Sequence, residues 1–184
     1  ALGSSLVLGC AVPEGGQNTA SEAHYGLVHA RAAGDLEGQW TPVHPDIRRL
    51  FDRWLEAERS AVHTVRLSYP ETEKEKALSA LVQGKRAGLP DARALYGTLV
   101  PTAPSAPLGW TESLGARVLM DVSEGTGHAE LLTLARQKFH YRIGDDGQWY
   151  AWPSVEECSS LDAAVEVAEA NFQKVKRNVQ VLRG

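Results

Sequence analysis

Phe139-His-Tyr-Arg-Ile143 and Gln148-Trp-Tyr-Ala-Trp152, joined by Gly144-Asp-Asp-Gly147, are the stretch on which the fold is decided. Both runs are rich in aromatic residues, and the Asp-Gly pair between them favours a tight reversal, because glycine takes positive φ without penalty. With Asp146-Gly147 as a two-residue turn, Ile143 faces Tyr150 and Tyr141 faces Trp152. Side chains alternate along a strand, so Tyr141, Ile143, Tyr150 and Trp152 then share one face, and His140, Arg142, Trp149 and Ala151 share the other.

A helical pattern follows, from an N-cap at Ser160 almost to the chain end. Leu161, Ala164, Val165, Ala168, Phe172, Val175 and Val179 recur at three- and four-residue spacing and form one apolar stripe. Its acids, Asp162, Glu166 and Glu169, come early and its bases, Lys174, Lys176 and Arg177, come late, which suits the helix dipole. An isolated hairpin is marginal in water, so the expectation is a hairpin packed on this last helix.

Working back from the hairpin, Gly127–Gln137 reads as a helix with Leu131, Leu134 and Ala135 inward, and Ala116–Val122 as a strand. The second half is therefore expected to be a β-α-β-β-α unit. Pro101, Pro104 and Pro107 interrupt any regular element, leaving residues 101–107 as a linker or an ordered loop. The portion before it reads as mostly helical. Helices are expected over Thr19–Ala33, Pro45–Ala61, Glu71–Gln83 and Asp91–Leu99, a loop over Leu36–Val43 and strands over Leu6–Val12 and Val62–Tyr69. The fold class is α+β, with portions 1–100 and 108–184 that either form one domain or stand apart.

Composition narrows the function classes. The chain has 184 residues, enough for a sizeable core, and a net charge of −4 without any long basic run, which makes nucleic acid an unlikely partner. No stretch reaches the length of apolar sequence a membrane span requires. The two cysteines, Cys10 and Cys158, form at most one disulfide and read as thiols of a cytoplasmic protein. Leu6-Val-Leu-Gly-Cys10 resembles a bacterial lipobox, which implies a lipid anchor at Cys10 and an envelope location if a basic segment precedes Ala1. Residues 1–9 carry no Lys or Arg, and the alternative is a short buried strand.

Two groups of residues invite chemistry. His128-Ala-Glu130 resembles the first motif of zinc-dependent nucleoside and base deaminases, in which the His binds zinc and the Glu moves protons at the metal-bound water. The resemblance implies His128 and Cys158 as metal ligands and Glu130 as the catalytic acid–base. The sequence departs from that pattern where Glu157 replaces the expected Pro before Cys158 and Leu161 stands where a second Cys belongs. Two protein ligands would remain of the three a catalytic zinc uses. His24 and His29, five apart, fall about 140° apart on a helix and do not converge on a metal. No nucleophile elbow, phosphate loop or dinucleotide motif occurs, so no cofactor is expected.

The second group is the outer hairpin face, His140, Arg142 and Trp149, since an exposed Trp beside an Arg is a frequent interface anchor. The reading is a non-catalytic binding or adaptor protein acting through contacts with a protein partner, with a deaminase-like enzyme or its inactive relative as the alternative.

Overall fold

The computed structural model describes residues 17–81, 86–100, 117–124 and 127–183. The expected strand Leu6–Val12, Cys10 and the proline stretch 101–107 lie outside them. The architecture is α+β: helices α1 (Ala20–Ala33), α2 (Leu36–Trp40), α3 (Pro45–Ser68), α4 (Glu71–Ala80) and α5 (Ala92–Gly97) precede four strands and a last helix. The strands are β1 (Val118–Glu124), β2 (His128–Thr133), β3 (Lys138–Ile143) and β4 (Trp149–Trp152), and the helix is α6 (Val155–Arg183). No helix among the described residues is long and apolar enough to cross a membrane.

The boundaries follow from local chemistry. Thr19 and Glu22 form a reciprocal capping box at the start of α1, and Gly34 ends it in the left-handed conformation at φ 66°. Helix α6 starts five residues before the expected cap at Ser160. Ser154 and Glu157 exchange backbone–side-chain bonds there, and Ser160 Oγ instead donates to the Glu156 carbonyl within the helix. Leu36–Val43 is not all loop: it contains α2, and Pro42–His44 then runs extended beside β4.

Val62–Tyr69 is not a strand. Residues 62–68 complete α3, a helix of 24 residues, and Tyr69 caps it. Ala61, Val62, Val65 and Tyr69 are buried at helical spacing, while Leu67, inward in a strand reading, is 71% exposed.

Helices α3 and α6 run side by side in the same direction. Ile47, Phe51, Trp54 and Leu55 share a core with Leu161, Val165 and Ala168, and farther along Ala61, Val65 and Tyr69 meet Val175 and Val179. An Arg53–Glu169 ion pair at 2.8 Å links the two helices on the surface. The apolar stripe of α6 thus exists as read, but it packs mainly on α3; the hairpin reaches α6 through Trp152.

The sheet is an antiparallel meander in the order β1-β2-β3-β4. Gly127–Gln137 is not a helix: it holds β2 and the turn into β3, so the C-terminal portion is β-β-β-β-α. One face of the sheet packs on α1, with Ala20 and Ala23 against Ala129, Leu131 and Tyr141. The outer edge of β4 is covered by backbone from upstream. Gln17 exchanges hydrogen bonds with Trp149 at 3.1 and 2.7 Å, and Pro42 and His44 bond Ala151 at 2.7 and 3.1 Å. That pairing removes an edge open to aggregation.

Both inner hairpins use three-residue loops. Between β3 and β4, Gly144 pairs with Gln148, the Gly147 N–H donates to the Gly144 carbonyl, and Gly147 sits at φ 77°. This is a type I turn followed by a left-handed bulge residue, one residue longer than an Asp-Gly turn. The extra residue shifts the register: Ile143 pairs with Trp149, Arg142 with Tyr150, Tyr141 with Ala151 and His140 with Trp152. A one-residue slip exchanges the faces of β4.

The β2–β3 loop repeats the pattern with Arg136 at φ 61° in the place of the glycine. The left-handed region costs a residue with a Cβ about 1–2 kcal/mol, against about 0.5–1 kcal/mol of extra chain entropy lost by a glycine. Arg136→Gly is expected to stabilise the protein by up to about 1 kcal/mol in urea denaturation, whereas Arg136→Ala, equally strained, gains nothing.

Candidate functional site

The sheet face turned away from α1 carries the chemistry. Strand alternation and the observed register put His128, Glu130, His140, Arg142, Tyr150 and Trp152 on it, with His128 opposite Arg142, Arg142 opposite Tyr150, Glu130 opposite His140, and His140 opposite Trp152. The residues of both sequence readings therefore meet in one place. His128, Glu130 and Cys158 from the deaminase resemblance, and His140 and Arg142 from the binding reading, line the same recess of about 550 Å³. A second recess of about 560 Å³ adjoins it and shares His128, Arg142 and Trp152.

Trp149 is not there. The register places it on the opposite face, packed with Ala20, Ala23 and Tyr141 under α1. Trp152 takes the position expected of Trp149, and a three-residue loop in place of a two-residue one is the whole reason.

Trp152 is the hub of the site. The Arg142 guanidinium carbon lies 3.7 Å from its ring centroid, and the His44 ring meets it edge-on at 4.9 Å. Sequence reasoning missed His44, the residue before the α3 proline. Its Nδ1 accepts from the Asp46 N–H at 3.2 Å, and its ring also bonds the Ile143 backbone. An accepting Nδ1 requires the neutral ring with its proton on Nε2. Burial agrees, pulling the His44 pKa below its ordinary value. His44 is thus a rivet between the start of α3 and the end of β3, not a free base.

The hairpin loop supports the same corner. Asp146 accepts from the Tyr150 hydroxyl at 2.6 Å and from the Gln148 N–H at 3.0 Å, and these bonds, the first above all, hold its carboxyl below the usual range. A Cβ on Gly144 would lie 2.8 Å from a Tyr150 ring carbon, so the loop closes against the ring only with glycine there. Arg48 donates to the carbonyls of Val43 and Thr41, fixing the strand-like segment that carries His44.

The donor set does not fit a catalytic zinc. His128 and Glu130 stand on a strand, two apart, where the resemblance needs a helix start. Among the described residues no three His, Cys, Asp or Glu side chains converge on a common point. Burial, and then the nearby Asp162, push the Cys158 thiol up, and its Sγ donates to the Pro153 carbonyl at 3.7 Å, so it stands as a thiol and not as a thiolate ligand or nucleophile. Glu130 is paired with Lys138 at 2.8 Å, which holds its carboxyl below the usual range, the reverse of what an acid–base shuttle needs. His24 and His29 also stay apart: His24 is buried against the Tyr141 hydroxyl at 3.0 Å and His29 is exposed.

Comparison with family models, with curated proteins and with solved structures finds no match to this chain.

Proposed function

We propose that this chain is a non-catalytic binding protein that engages a protein partner through the outer face of its sheet, with Arg142 and Trp152 at the centre of the contact. The observation that carries the reading is the state of Arg142. Its guanidinium is half-buried and stacked on Trp152, and among the described residues it has neither an ion pair nor a hydrogen bond. A guanidinium with no intramolecular acceptor keeps its N–H donors available to polar groups of a partner. Trp and Arg are also the residues that most often dominate interface energies.

Photo-crosslinking tests this in extracts of the source organism. A benzoylphenylalanine at position 140 is expected to give discrete adducts that disappear with Arg142→Ala, while the same group at position 166, on the exposed side of α6, gives none. Far-UV dichroism should be unchanged in the Ala variant. Equal adducts from both positions, or adducts indifferent to Arg142, would sink the proposal.

A further inference from the structure

We infer that the outer face recognises a carboxylate of its partner, an Asp or Glu side chain of an acidic peptide segment, held by the free edge of Arg142. This rests on the binding reading above and adds the chemistry of the ligand. The Trp152 ring lies against the Arg142 guanidinium, whose central carbon is 3.7 Å from the ring centroid. A ring offers no acceptor for the in-plane N–H groups, so these remain for bidentate bonding to a carboxylate.

Among the described residues, no acid around the face forms an ion pair with Arg142. Glu130 is paired with Lys138, Asp146 accepts from Tyr150 and Gln148, and Asp46 is paired with Arg49 at 2.9 Å. Asp145 and Asp162 line the two recesses and form no ion pair with Arg142. They decide the class of anion. One guanidinium matches a carboxylate in charge and in geometry, whereas a phosphate would bring a second negative charge into a recess already rimmed by aspartates and with His44 held neutral. The imidazoles of His128 and His140 and the indole of Trp152, which line the same recess, offer polar and apolar contacts to a peptide around the anchored carboxylate.

Titration of the full chain with blocked pentapeptides, read by the Arg142 Nε–H and Trp152 Nε1–H resonances, tests this. Acetyl-Gly-Gly-Glu-Gly-Gly-amide is expected to shift both signals saturably, with a dissociation constant on the order of millimolar. The Gln counterpart should bind at least about tenfold more weakly, because it forms no charge-assisted pair. Arg142→Lys, which keeps the charge but loses the fork, should weaken the Glu peptide by a similar factor, and it guards against a folding defect in Arg142→Ala. Glu and Gln peptides binding alike would overturn the carboxylate assignment while leaving the binding face itself intact. Tighter binding of the phosphoserine counterpart would overturn it in favour of a phosphate. No shift with any peptide at tens of millimolar would also overturn it, and the crosslinking result would then decide the broader reading separately.

Discussion

Replacing Tyr141 by Ala is expected to cost about 3–5 kcal/mol of folding stability, a large part of the 5–15 kcal/mol typical of a domain. Tyr141 stands mid-strand in β3, 1% exposed, where the sheet meets α1. Its ring is edge-on to His24 with centroids 6.1 Å apart, and its hydroxyl lies 3.0 Å from His24 Nδ1. Burial pushes the phenol pKa well up, so the hydroxyl stays protonated across the working pH range. Truncation opens a cavity under α1 and removes a buried hydrogen bond in the same step. Tyr141→Phe separates the two effects: it keeps the packing and loses only the bond, for about 1–3 kcal/mol. Urea denaturation measures both, and hydrogen exchange locates them. Faster exchange should appear first in α1, whose hold on the sheet depends on this contact, and later in α3 and α6, which share a different core. A loss below about 1 kcal/mol for the Ala variant would show that α1 is held by something else.

The elements that were legible in the sequence are those whose signal is local and repeated. The α6 stripe from Leu161 to Val179, the Pro45 start of α3 and the Thr19–Gly34 limits of α1 all came from periodicity or end chemistry, and all are present. What misled were short segments in which two periods fit equally well. In Val62–Tyr69 the alternation that places Val65, Leu67 and Tyr69 on one face fits a strand, but burial of Ala61, Val65 and Tyr69 at helical spacing decides for α3. In His128–Gln137, Leu131, Leu134 and Ala135 imitate a helix face, while Ala129, Leu131 and Thr133, all buried, are the period-two set that the sheet uses. The site was half legible for a different reason. His140 and Arg142 precede the hairpin loop and kept their face; Trp149 and Trp152 follow it and exchanged theirs. Loop length depends on the left-handed Gly147 and on Asp146 bonding Gln148 and Tyr150, contacts that exist only once the hairpin has closed.

The partner of the α6 stripe was equally beyond local reading, since an apolar stripe specifies only that something must cover it. That something is α3, and its most exposed weakness is the Trp54–Glu58 pair. Trp54→Ala is expected to cost about 3–5 kcal/mol, with a part that depends on pH. Trp54 is 4% exposed, its Nε1 donates to Glu58 Oε1 at 2.6 Å, and the Arg86 guanidinium carbon stands 4.9 Å from the ring centroid. Glu58 is 5% exposed and its Oε2 has no hydrogen-bond partner among the described residues. Burial raises the Glu58 pKa above its ordinary 4.5, and the bond from Trp54 and the charge of Arg86, 3.7 Å away, oppose that rise. A folded-state pKa above the unfolded one means that the folded protein holds this proton more tightly. The contribution of Glu58 is therefore most favourable below about pH 4.5 and is lost as pH rises through the raised value. Trp54→Phe, which preserves most of the volume but removes the donor, raises that value further. Its cost should be about 1.5–3 kcal/mol at neutral pH and clearly less near pH 4, where Glu58 is protonated in both states. Glu58→Gln should behave oppositely, gaining stability relative to the parent as pH rises from about 4 to 7. Combining the two substitutions should remove the pH-dependent part of the Trp54→Phe cost, since no carboxylate remains to be stranded. If Trp54→Phe costs the same at both pH values, Glu58 is not the group that the indole N–H protects.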